Sequence, residues 1–533
     1  MATGMTYCVA LDGVSGQVVT VESDIQNGVP GWSLSGLPDT CVAEARDRCR
    51  AAMVNSGESW PDRRVTVAMY PADVRKVGSH YDLAIALSLL VAKGSVPAAG
   101  LASCAVFGEL ALDGRLRAVP GILPAALAAV EAGMERVVVP TANVAEAQLV
   151  SGLQVMGVRS LRECIAVLSG KPPPTEPELP AHHGDMAAGP RSVARLDDAD
   201  LTDVRGQTEA RWCVEVAAAG GHHLFLEGPP GAGKTMLAER FGALLPDLDL
   251  EQSIEASKIH SVAGLLSRDE PRVIRPPFLA PNHTDTVASV IGGGAKFIRP
   301  GAISLAHRGV LFLDEAPEFR PTVHDALRQP LESGEISIRR AEGSARFPAS
   351  FQLILAANPC PCGFGFGKGR YCSCTPTRLR AYRARISGPV RDRIDITHTV
   401  MPLSRAEMRQ VVGPEGSSAA VSARVEDARL RQRARYDGLP WRINAEVPGF
   451  EFRRRCALDL DCALPIEDAV AEGRLTQRGA DRVARLAWTL ADLEGSGRPV
   501  VEHTRQALRL RSDGASGSGV RADDSGMSIA ALR

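Results

Sequence analysis

A glycine-rich segment at residues 228–235 (GPPGAGKT) constrains the fold of this 533-residue chain more than any other feature. An apolar run at 223–227 (HLFLE) precedes it, and apolar side chains at helical spacing follow at 234–245. Strand, loop and helix in this order, with the pattern GxxxxGK[ST], are typical of a loop whose backbone N–H groups surround nucleotide phosphates. A chance glycine-rich turn is the alternative, and its flanking elements disfavour it. The segment predicts an α/β domain that binds a nucleoside triphosphate.

The residues of this segment have different predicted roles. Lys234 can reach the β- and γ-phosphates as a point charge, and Thr235 can place its hydroxyl on Mg²⁺. The amino end of the following helix directs its partial positive charge at the same phosphates. The predicted cofactor-binding residues in the segment are Gly228, Pro229, Pro230, Gly231, Ala232, Gly233, Lys234 and Thr235.

Two later apolar runs end in polar side chains that suit the same site. Residues 310–313 (VLFL) precede Asp314 and Glu315. Residues 351–357 (FQLILAA) precede Asn358. Asp314 is predicted to hold Mg²⁺, Glu315 to orient and polarise the attacking water, and Asn358 to hydrogen-bond the γ-phosphate or that water. Exposed carboxylates at the end of a strand are common, so the pair gains its significance from the phosphate loop.

Two arginines beyond this third strand, Arg391 and Arg393, are candidates for a different role. They lie in residues 386–396 (ISGPVRDRIDI). An arginine supplied by one subunit to the nucleotide of its neighbour neutralises charge in the transition state of phosphoryl transfer. The alternative for each is a surface ion pair with Asp392 or Asp395. We predict Arg393 as the trans-acting residue, and Arg391 stays open as the other candidate.

Four of the twelve cysteines form the pattern CxC–x9–CxC. Four thiolates can complete a tetrahedral structural site for Zn²⁺, and the glycines between the two pairs let the segment fold back. Because CxC spacing is rarer in zinc sites than CxxC, reduced unliganded thiols and an iron–sulfur cluster stay open as alternatives. The candidate metal ligands are Thr235 and Asp314 for Mg²⁺, and Cys360, Cys362, Cys372 and Cys374 for Zn²⁺.

The charge distribution is balanced overall and basic in one place. The net charge is −1, from 61 Lys and Arg against 62 Asp and Glu, which excludes a chain that is basic throughout and coats nucleic acid. Residues 368–393 contain one acid, Asp392, and the basic residues Lys368, Arg370, Arg378, Arg380, Arg383, Arg385, Arg391 and Arg393. Such density suits DNA phosphates, and Tyr371 and Tyr382 are candidates for stacking on bases. Contacts between subunits are the alternative.

Two further segments are candidates for loops that line a channel around DNA. Residues 334–347 (GEISIRRAEGSARF) predict a β-hairpin with Ile336 and Ile338 inward and two arginines toward its tip. Residues 292–299 (GGGAKFIR) predict a second loop. Ordinary solvated surface is the alternative for both segments.

Composition divides the chain into five segments. Residues 1–168 mix short strand-like runs with alanine-rich helical runs, and the Pro- and Gly-rich residues 169–195 predict a linker. Residues 196–402 alternate strand and helix patterns, as in an α/β sheet. Residues 403–511 are predicted to be mostly helical, and residues 512–533 to be a disordered tail.

The sequence predicts a cytoplasmic protein without membrane contact. The longest apolar stretch, 83–92 (LAIALSLLVA), is too short to span a bilayer and indicates a core helix. The first basic residue is Arg46, so the amino terminus lacks the charged region of a signal peptide. Thiols would stay reduced in that compartment.

Seven segments together resemble a known family. In the ATPase region they are GPPGAGKT (228–235), PGAISLAHRGVLFLDEAPEF (300–319), AANPCPCG (356–363) and ISGPVRDRIDI (386–396). In the amino-terminal region they are GLPDTCVAEARDRCRAAMVNSG (36–57), PADVRKVGSHYDLAIAL (71–87) and FGELALDGRLRAVPGILPAALAA (107–129). In this order they resemble the ComM/YifB-type magnesium-chelatase-like AAA+ ATPases, over about residues 1–168 and 200–511.

The resemblance implies an architecture and an activity. It implies an amino-terminal domain with the fold of the Lon protease domain (like domain 2 of ribosomal protein S5), a P-loop AAA+ α/β module and a carboxyl-terminal helical lid. It further implies ATP and Mg²⁺ as cofactors, a hexameric ring and, for ComM members, DNA branch migration during recombination. We therefore expect an ATP-dependent DNA motor. The alternative is a magnesium-chelatase motor subunit for metal insertion into a tetrapyrrole, which the Lon-like domain and the absence of a DxSxS motif disfavour.

Peptidase activity is a third possibility that the resemblance raises and the residues oppose. In Lon-type folds a serine and a lysine form the proteolytic pair, and the corresponding segments here contain Ser79 and Leu123. Leucine cannot deprotonate a serine. We therefore expect a protease-like fold without the chemistry, with Ser79 as a helix cap.

Three other departures from the family pattern affect polar positions. Ala302 replaces a usual glutamate, and Asn282 replaces the first of two histidines while His283 is kept, which puts a role for these polar groups in doubt. Trp488 occupies a position that is often arginine. By resemblance, the phosphate-sensing arginine of the lid is therefore expected at Arg478.

Overall fold

The computed structural model describes residues 2–174, 199–294, 297–340, 343–366 and 371–512. The other residues include most of the predicted linker (175–198) and almost all of the predicted tail (513–533). Lys368 and Arg370 of the predicted basic segment also lie outside the described residues, as does the tip of the predicted hairpin at 341–342.

The amino-terminal region is built on a seven-stranded mixed sheet. The strands before residue 169 are β1 (Ala2–Asp12), β2 (Ser15–Gln26), β3 (Gly31–Ser35), β4 (Arg64–Tyr70), β5 (Cys104–Val106), β6 (Glu109–Leu110), β7 (Leu116–Arg117), β8 (Arg136–Pro140) and β9 (Gln154–Val158). The helices are α1 (Thr40–Ala43), α2 (Ala45–Asn55), α3 (Asp82–Lys93), α4 (Ile122–Glu131), α5 (Val144–Ala147) and α6 (Leu161–Leu168). The sheet order is β3-β4-β2-β1-β5-β8-β9, while β6 and β7 form a separate hairpin.

Helix α3 packs on β1 and β2 because nearly all of its side chains are apolar and buried. The approach is close at Gly4, where a methyl group would lie 2.0 Å from the carbonyl oxygen of Ser88. Thr6 of β1 donates its hydroxyl to the carbonyl of Ala84 at 2.9 Å. The predicted core helix at 83–92 is thus confirmed, and no helix in the described ranges is both long and apolar enough to cross a bilayer.

The central region contains a five-stranded parallel sheet and two hairpins. Its strands are β10 (Leu224–Glu227), β11 (Phe278–Leu279), β12 (Gly292–Gly293), β13 (Arg299–Pro300), β14 (Val310–Leu313), β15 (Glu335–Arg340), β16 (Gly343–Pro348), β17 (Gln352–Ala357) and β18 (Ile396–Thr399). Its helices are α7 (Thr208–Gly220), α8 (Lys234–Phe241), α9 (Leu250–Ala263), α10 (Val287–Ile291), α11 (Ala302–Leu305), α12 (Pro321–Leu327), α13 (Pro330–Ser333), α14 (Pro376–Ala384) and α15 (Gly388–Asp392).

The five parallel strands have the order β11-β14-β17-β10-β18. Their registers pair Leu224 with Ile354 and with Ile396, and Phe312 with Ile354. Strands β14 and β17 are buried along their whole length, as expected for a parallel sheet covered on both faces. All carboxyl ends therefore meet at one edge, and all amino ends at the other.

The two hairpins lie side by side. Strands β15 and β16 pair from Glu335↔Pro348 to Arg340↔Gly343, and Ile336 and Ile338 are buried, so the predicted hairpin is confirmed. Gly292 of the short β12–β13 hairpin adopts a positive φ of 106°, and a methyl group there would lie 2.5 Å from Cδ1 of Ile338.

Five helices follow the sheet. They are α16 (Ser418–Arg435), α17 (Gly449–Arg455), α18 (Leu460–Ala471), α19 (Gln477–Glu494) and α20 (Val501–Ser512). Helices α16 and α19 pack on α7, and the buried Asp492 pairs with Arg435 and accepts a hydrogen bond from Asn444 at 3.0 Å. Trp488 is buried beneath Arg435 and donates its indole N–H to Cys456 at 2.9 Å.

Helix α9 joins the three parts of the molecule. Its Ser261 donates its hydroxyl to the buried Glu146 of α5, and the Ser261 carbonyl accepts the N–H of Gly121 at 3.0 Å. At its other end Arg442, which follows α16, pairs with Asp249 and Glu251. The amino-terminal region, the central sheet and the carboxyl-terminal helices are therefore fastened to one helix.

Two boundaries differ from the sequence predictions. The helix predicted at 234–245 ends at Phe241 and continues as a 3₁₀ turn at 242–244. Ser512, predicted to open the tail, is the last residue of α20.

Candidate nucleotide-binding site

The phosphate loop connects β10 to α8 through backbone conformations that favour glycine. Gly231 and Gly233 have positive φ values of 76° and 96°. Gly228 is required for a different reason, because a methyl group there would lie 2.3 Å from the carbonyl oxygen of Val400. The loop thus passes close to the end of β18 and turns twice before α8 begins at Lys234.

Lys234 lies at the centre of the site. Its Nζ donates to the carbonyls of Gly228 and Pro229 at 2.8 and 2.9 Å, and to Oδ1 of Asn358 at 3.2 Å. Burial lowers the pKa of Lys234, while Asp314 and Glu315 act in the opposite direction. The structure therefore brings Asn358 and both carboxylates, predicted from separate segments, to the lysine of the loop.

Asp314 and Glu315 point to different partners. Oδ2 of Asp314 accepts the hydroxyl of Thr235 at 2.8 Å, so the two predicted Mg²⁺ ligands are adjacent. Glu315 has a positive φ of 51°, and its N–H donates to Oδ1 of Asp314 at 2.9 Å. The side chain of Glu315 is 51% exposed. Hydroxyl and carboxylate oxygens are the donors that Mg²⁺ prefers, so this pair fits the metal.

His283 is a neighbour of the site whose role the sequence left in doubt. Its Nδ1 lies 3.5 Å from Oε2 of Glu315, and its ring meets Phe319 edge-on. Asn282, which stands where a histidine is usual, has a structural role. Its Oδ1 accepts the N–H and the hydroxyl of Thr284 at 3.0 and 2.8 Å. The turn made by Asn282 fixes the backbone at His283.

Arg393 lies at the opposite edge of the sheet. It precedes β18, and the N–H of Asp395 beside it donates to His223, which precedes β10. A four-residue strand is about 13 Å long, so the sheet separates Arg393 from the Glu315 of its own chain. Arg393 is 8% exposed, pairs with Glu332 and donates to the carbonyl of Pro389 at 2.6 Å.

The three predicted arginines divide into two groups. Burial, together with Arg478, Arg482 and Arg328, lowers the pKa of Arg393. Arg478 is exposed, and it belongs to the arginine group around Arg393 because its charge acts on the Arg393 guanidinium. Arg391 instead faces Glu227 at the end of β10, where burial raises the pKa of Glu227 and Arg391 opposes that rise. The structure therefore brings Arg393 and Arg478 together and separates both from Arg391.

The four predicted cysteine ligands converge. Their Sγ atoms all lie within 4.8 Å of one another, with Cys360 at 3.3 Å from Cys362 and 3.7 Å from Cys372. Tetrahedral Zn²⁺ with bonds of about 2.3 Å places sulfur atoms about 3.8 Å apart, so the cluster fits the ion. The N–H of Phe364, followed by the Cys360 thiol, lowers the pKa of Cys362 to about 6, which favours the thiolate that zinc binds.

This cysteine cluster lies on the phosphate loop. Gly363, between the two pairs, has a positive φ of 81°, and a methyl group there would lie 2.7 Å from Cγ of Pro230. The cluster also begins two residues after Asn358. The cysteine loop is therefore connected to the nucleotide-binding site through its contact with Pro230 and through the chain at Asn358.

The predicted DNA-binding residues differ in their exposure. Arg378, Arg380 and Arg383 of α14 are exposed, and Tyr371 is 84% exposed. The stacking role predicted for Tyr382 is wrong, because this side chain lies on the buried side of α14 and is 5% exposed. Arg385 pairs with Glu318, and Arg339 is exposed on β15. The side chain of Arg340 lies outside the described residues.

The predicted capping role of Ser79 is also wrong. Ser79 begins a 3₁₀ turn, and its hydroxyl donates to Glu109, whereas Tyr81 is the residue before α3. Leu123 is buried, and its N–H donates to Glu146 at 2.9 Å. The apolar side chain of Leu123 therefore supplies no amine to deprotonate Ser79, and the recorded partner of the Ser79 hydroxyl is the Glu109 carboxylate.

Three family models match separate segments of this chain. Family models described as "Magnesium chelatase, subunit ChlI", "Subunit ChlI of Mg-chelatase" and "Magnesium chelatase, subunit ChlI C-terminal" match residues 200–408, 21–143 and 415–511. An uncharacterized protein of Mycobacterium tuberculosis is 46% identical over 515 residues, covering 97% of this chain and 100% of its own length.

Two named relatives are similar over nearly the whole chain. YifB of Escherichia coli, itself described as uncharacterized, is 38% identical over 517 residues, which cover 96% of this chain and 97% of YifB. The competence protein ComM of Haemophilus influenzae is 37% identical over 513 residues, which cover 96% of this chain and 98% of ComM. The chain therefore belongs to the ComM/YifB-type, magnesium-chelatase-like family of AAA+ ATPases.

Proposed function

We propose that this chain is an ATP-hydrolysing DNA motor that works in the cytoplasm as a hexameric ring and remodels branched DNA during recombination or transformation. The observation that carries the proposal is the division of the site between two edges of one sheet. Lys234 and Glu315 lie at one edge and Arg393 at the other. Such a site is complete only when a neighbour supplies the arginine, as in a head-to-tail ring.

Each residue has a defined task in the proposed hydrolysis. Lys234 and the loop N–H groups bind the phosphates, and Thr235 and Asp314 hold Mg²⁺, which neutralises charge on the phosphates. Glu315 orients the attacking water and accepts its proton. Asn358 helps to position the same water. Arg393 and Arg478 of the adjoining subunit stabilise the charge of the transition state.

The proposal assigns the other parts of the chain as well. We assign the amino-terminal region as a Lon-protease-like domain without a catalytic pair, and helices α16–α20 as the helical lid. The four cysteines hold a structural Zn²⁺. The exposed arginines of α14 and the paired hairpins contact DNA, and the likeness to a protein named for competence supports this choice of partner.

A chelatase motor that inserts a metal into a tetrapyrrole is the alternative. The matching family models are named for a magnesium-chelatase subunit, but relatives similar over nearly the whole chain include ComM and YifB, so this alternative is not favoured. It would use the same ATP site. The two candidates therefore differ in the ligand that stimulates hydrolysis.

We expect single-stranded or forked DNA to raise the ATPase rate several-fold and magnesium porphyrin to leave it unchanged. Arg378→Ala with Arg380→Ala should weaken DNA binding and reduce the slope of log affinity against log salt by about 2, because two phosphate contacts are lost. Fluorescence anisotropy at several salt concentrations measures both quantities.

Arg498→Ala with Arg505→Ala is the matched control, because it removes the same charge from exposed positions of the carboxyl-terminal region. Equal loss of DNA affinity in both double variants would contradict α14 as the contact. Stimulation by porphyrin and not by DNA would favour the chelatase motor.

We expect Glu315→Gln to bind ATP with wild-type affinity. Its rate of ATP hydrolysis should fall at least about a hundredfold, because an amide cannot accept the proton of the water. Lys234→Ala should lose nucleotide binding itself. Glu318→Gln is the matched control, since Glu318 lies three residues away and pairs with Arg385. A Glu315→Gln protein with the wild-type rate would contradict the assignment of this residue.

Arg393→Ala and Lys234→Ala should each be inactive alone and regain activity when mixed. In an equal mixture about a quarter of head-to-tail interfaces join an intact phosphate loop to an intact Arg393. The ATPase rate of the mixture measures this rescue, and native mass spectrometry verifies that mixed assemblies form. No rescue in verified mixed assemblies would exclude Arg393 and make Arg391 the next variant to test.

We expect about one zinc per chain, lost in Cys372→Ser with Cys374→Ser. Because structural zinc contributes folding free energy, its removal should loosen the loop beside Pro230, weaken assembly and lower the ATPase rate. Elemental analysis of protein purified without chelators gives the metal content, with Cys41→Ser as the control outside the cluster. Near-zero zinc and iron, with four thiols open to alkylation in the folded protein, would identify ordinary reduced cysteines.

A further inference from the structure

Arg393 is surrounded by like charge and held by one carboxylate. The basic residues close to it are Arg328, Arg478 and Arg482. Two of these have partners of their own, since Arg328 pairs with Asp325 and Arg482 with Asp395. Among the described residues, the ion pair recorded for Arg393 is with Glu332. Arg393 also donates to the Pro389 carbonyl, which is neutral, so the counter-charge that holds the arginine is that carboxylate.

Glu332 lies in the short segment that precedes the β15–β16 hairpin. It belongs to α13. Gly334, the residue that follows this helix, adopts the left-handed region with φ of 70°. Strand β15 begins at the next residue, and the N–H of Ala349, just beyond β16, donates to the Gly334 carbonyl at 2.7 Å. The start of β15 and the end of β16 thus both lie next to the turn that follows Glu332.

Side-chain hydrogen bonds link this junction to the hairpin. Nε2 of Gln329, the residue before α13, donates to the hydroxyl of Ser337 at 3.3 Å, and the Ser337 N–H donates to Oε1 of Gln329 at 3.4 Å. Ser337 lies in the middle of β15. A displacement of the hairpin therefore moves α13 and the Glu332 carboxylate with it.

We propose that Glu332 is a positioning residue that holds Arg393 away from the neighbouring subunit until the β15–β16 hairpin moves. This inference rests on the proposed function, in which Arg393 acts in trans and the hairpin contacts DNA. With the ion pair formed, the Arg393 side chain is 8% exposed and is buried within its own subunit. When the hairpin withdraws the carboxylate, Arg393 loses its counter-charge while the positive charge of Arg478 stays close, which favours the outward position of Arg393.

The acceptor that Arg393 reaches after release is the γ-phosphate of the adjoining subunit. A phosphate carries more negative charge than a carboxylate and accepts guanidinium hydrogen bonds in the same bidentate geometry. The exchange of partners therefore becomes favourable once the neighbour's nucleotide is close. Hairpin position and hydrolysis at the next site are coupled through one ion pair that breaks and one that forms.

The test is the ATPase rate of Glu332→Gln with and without single-stranded DNA. Glutamine keeps the size of the side chain but removes the charge that holds Arg393. We expect the DNA-independent rate to rise by up to about tenfold, the equivalent of one charge-assisted hydrogen bond. The ratio of the DNA-stimulated to the basal rate should fall toward one.

Glu335→Gln is the matched control. Glu335 lies three residues away on the same junction, is exposed and lines the same cavity of about 590 Å³. We expect this variant to keep the wild-type rate and stimulation ratio. An equal effect of both substitutions would overturn the proposal, because it would show a general change of charge at the junction.

A double variant shows whether Glu332 acts through Arg393. Glu332→Gln combined with Arg393→Ala should have the rate of Arg393→Ala alone. A higher rate in the double variant would overturn the proposal, as would a Glu332→Gln protein with wild-type basal rate and ratio, or one whose two rates fall in proportion. If Glu332→Gln does not fold, Glu332→Asp keeps the charge with a shorter reach and should change the ratio in the same direction.

Failure of the proposed function has a separate signature. A wild-type rate that DNA does not change would contradict the DNA motor, and the rise of the basal rate in Glu332→Gln would still decide whether the carboxylate restrains Arg393. An Arg393→Ala protein with wild-type turnover would overturn the trans role of that arginine and this inference together.

Discussion

The parallel direction of five strands is the constraint on which the site depends. Since β10, β14 and β17 all end at one edge, the residues that follow them come together although they are far apart in sequence. Lys234 meets Asn358, and Thr235 meets Asp314, for this reason. The same constraint keeps Arg393 away, because it precedes its strand. The parallel topology therefore brings the phosphate loop, the carboxylates and Asn358 together, and it places Arg393 at the other edge of the sheet.

Helix α9 gives this sheet its connection to the rest of the molecule. Glu255 in its middle pairs with His307 and Arg308, the residues just before β14, and hydrogen bonds from these two lower the pKa of Glu255 to about 2. Its ends hold Glu146 of the amino-terminal region and Arg442 beside the carboxyl-terminal helices. A motion of either outer region therefore reaches the amino end of β14 through a helix of 14 residues.

The sequence predicted most strongly what depends on local pattern. The strand at 310–313 and the hairpin at 334–347 follow from apolar spacing, and both are confirmed. Tyr382 was misplaced because its burial depends on how α14 packs, which its own segment does not encode. The contacts of Glu315 with His283 and of Arg393 with Glu332 join segments more than 30 residues apart, and no motif announces them. Long-range pairs were predicted where motif residues follow parallel strands, as for Lys234 with Asn358, and not where no motif marks either partner.

The contact between Gly363 and Pro230 makes the cysteine loop and the phosphate loop a single packed unit. Two ligands that bind such a unit are thermodynamically linked, and linkage is reciprocal. If zinc strengthens the binding of ATP by some factor, ATP must strengthen the binding of zinc by the same factor. If the four cysteines hold zinc as proposed, the metal would then be hardest to extract while ATP is bound, and most exposed to competing thiols in a cell depleted of ATP.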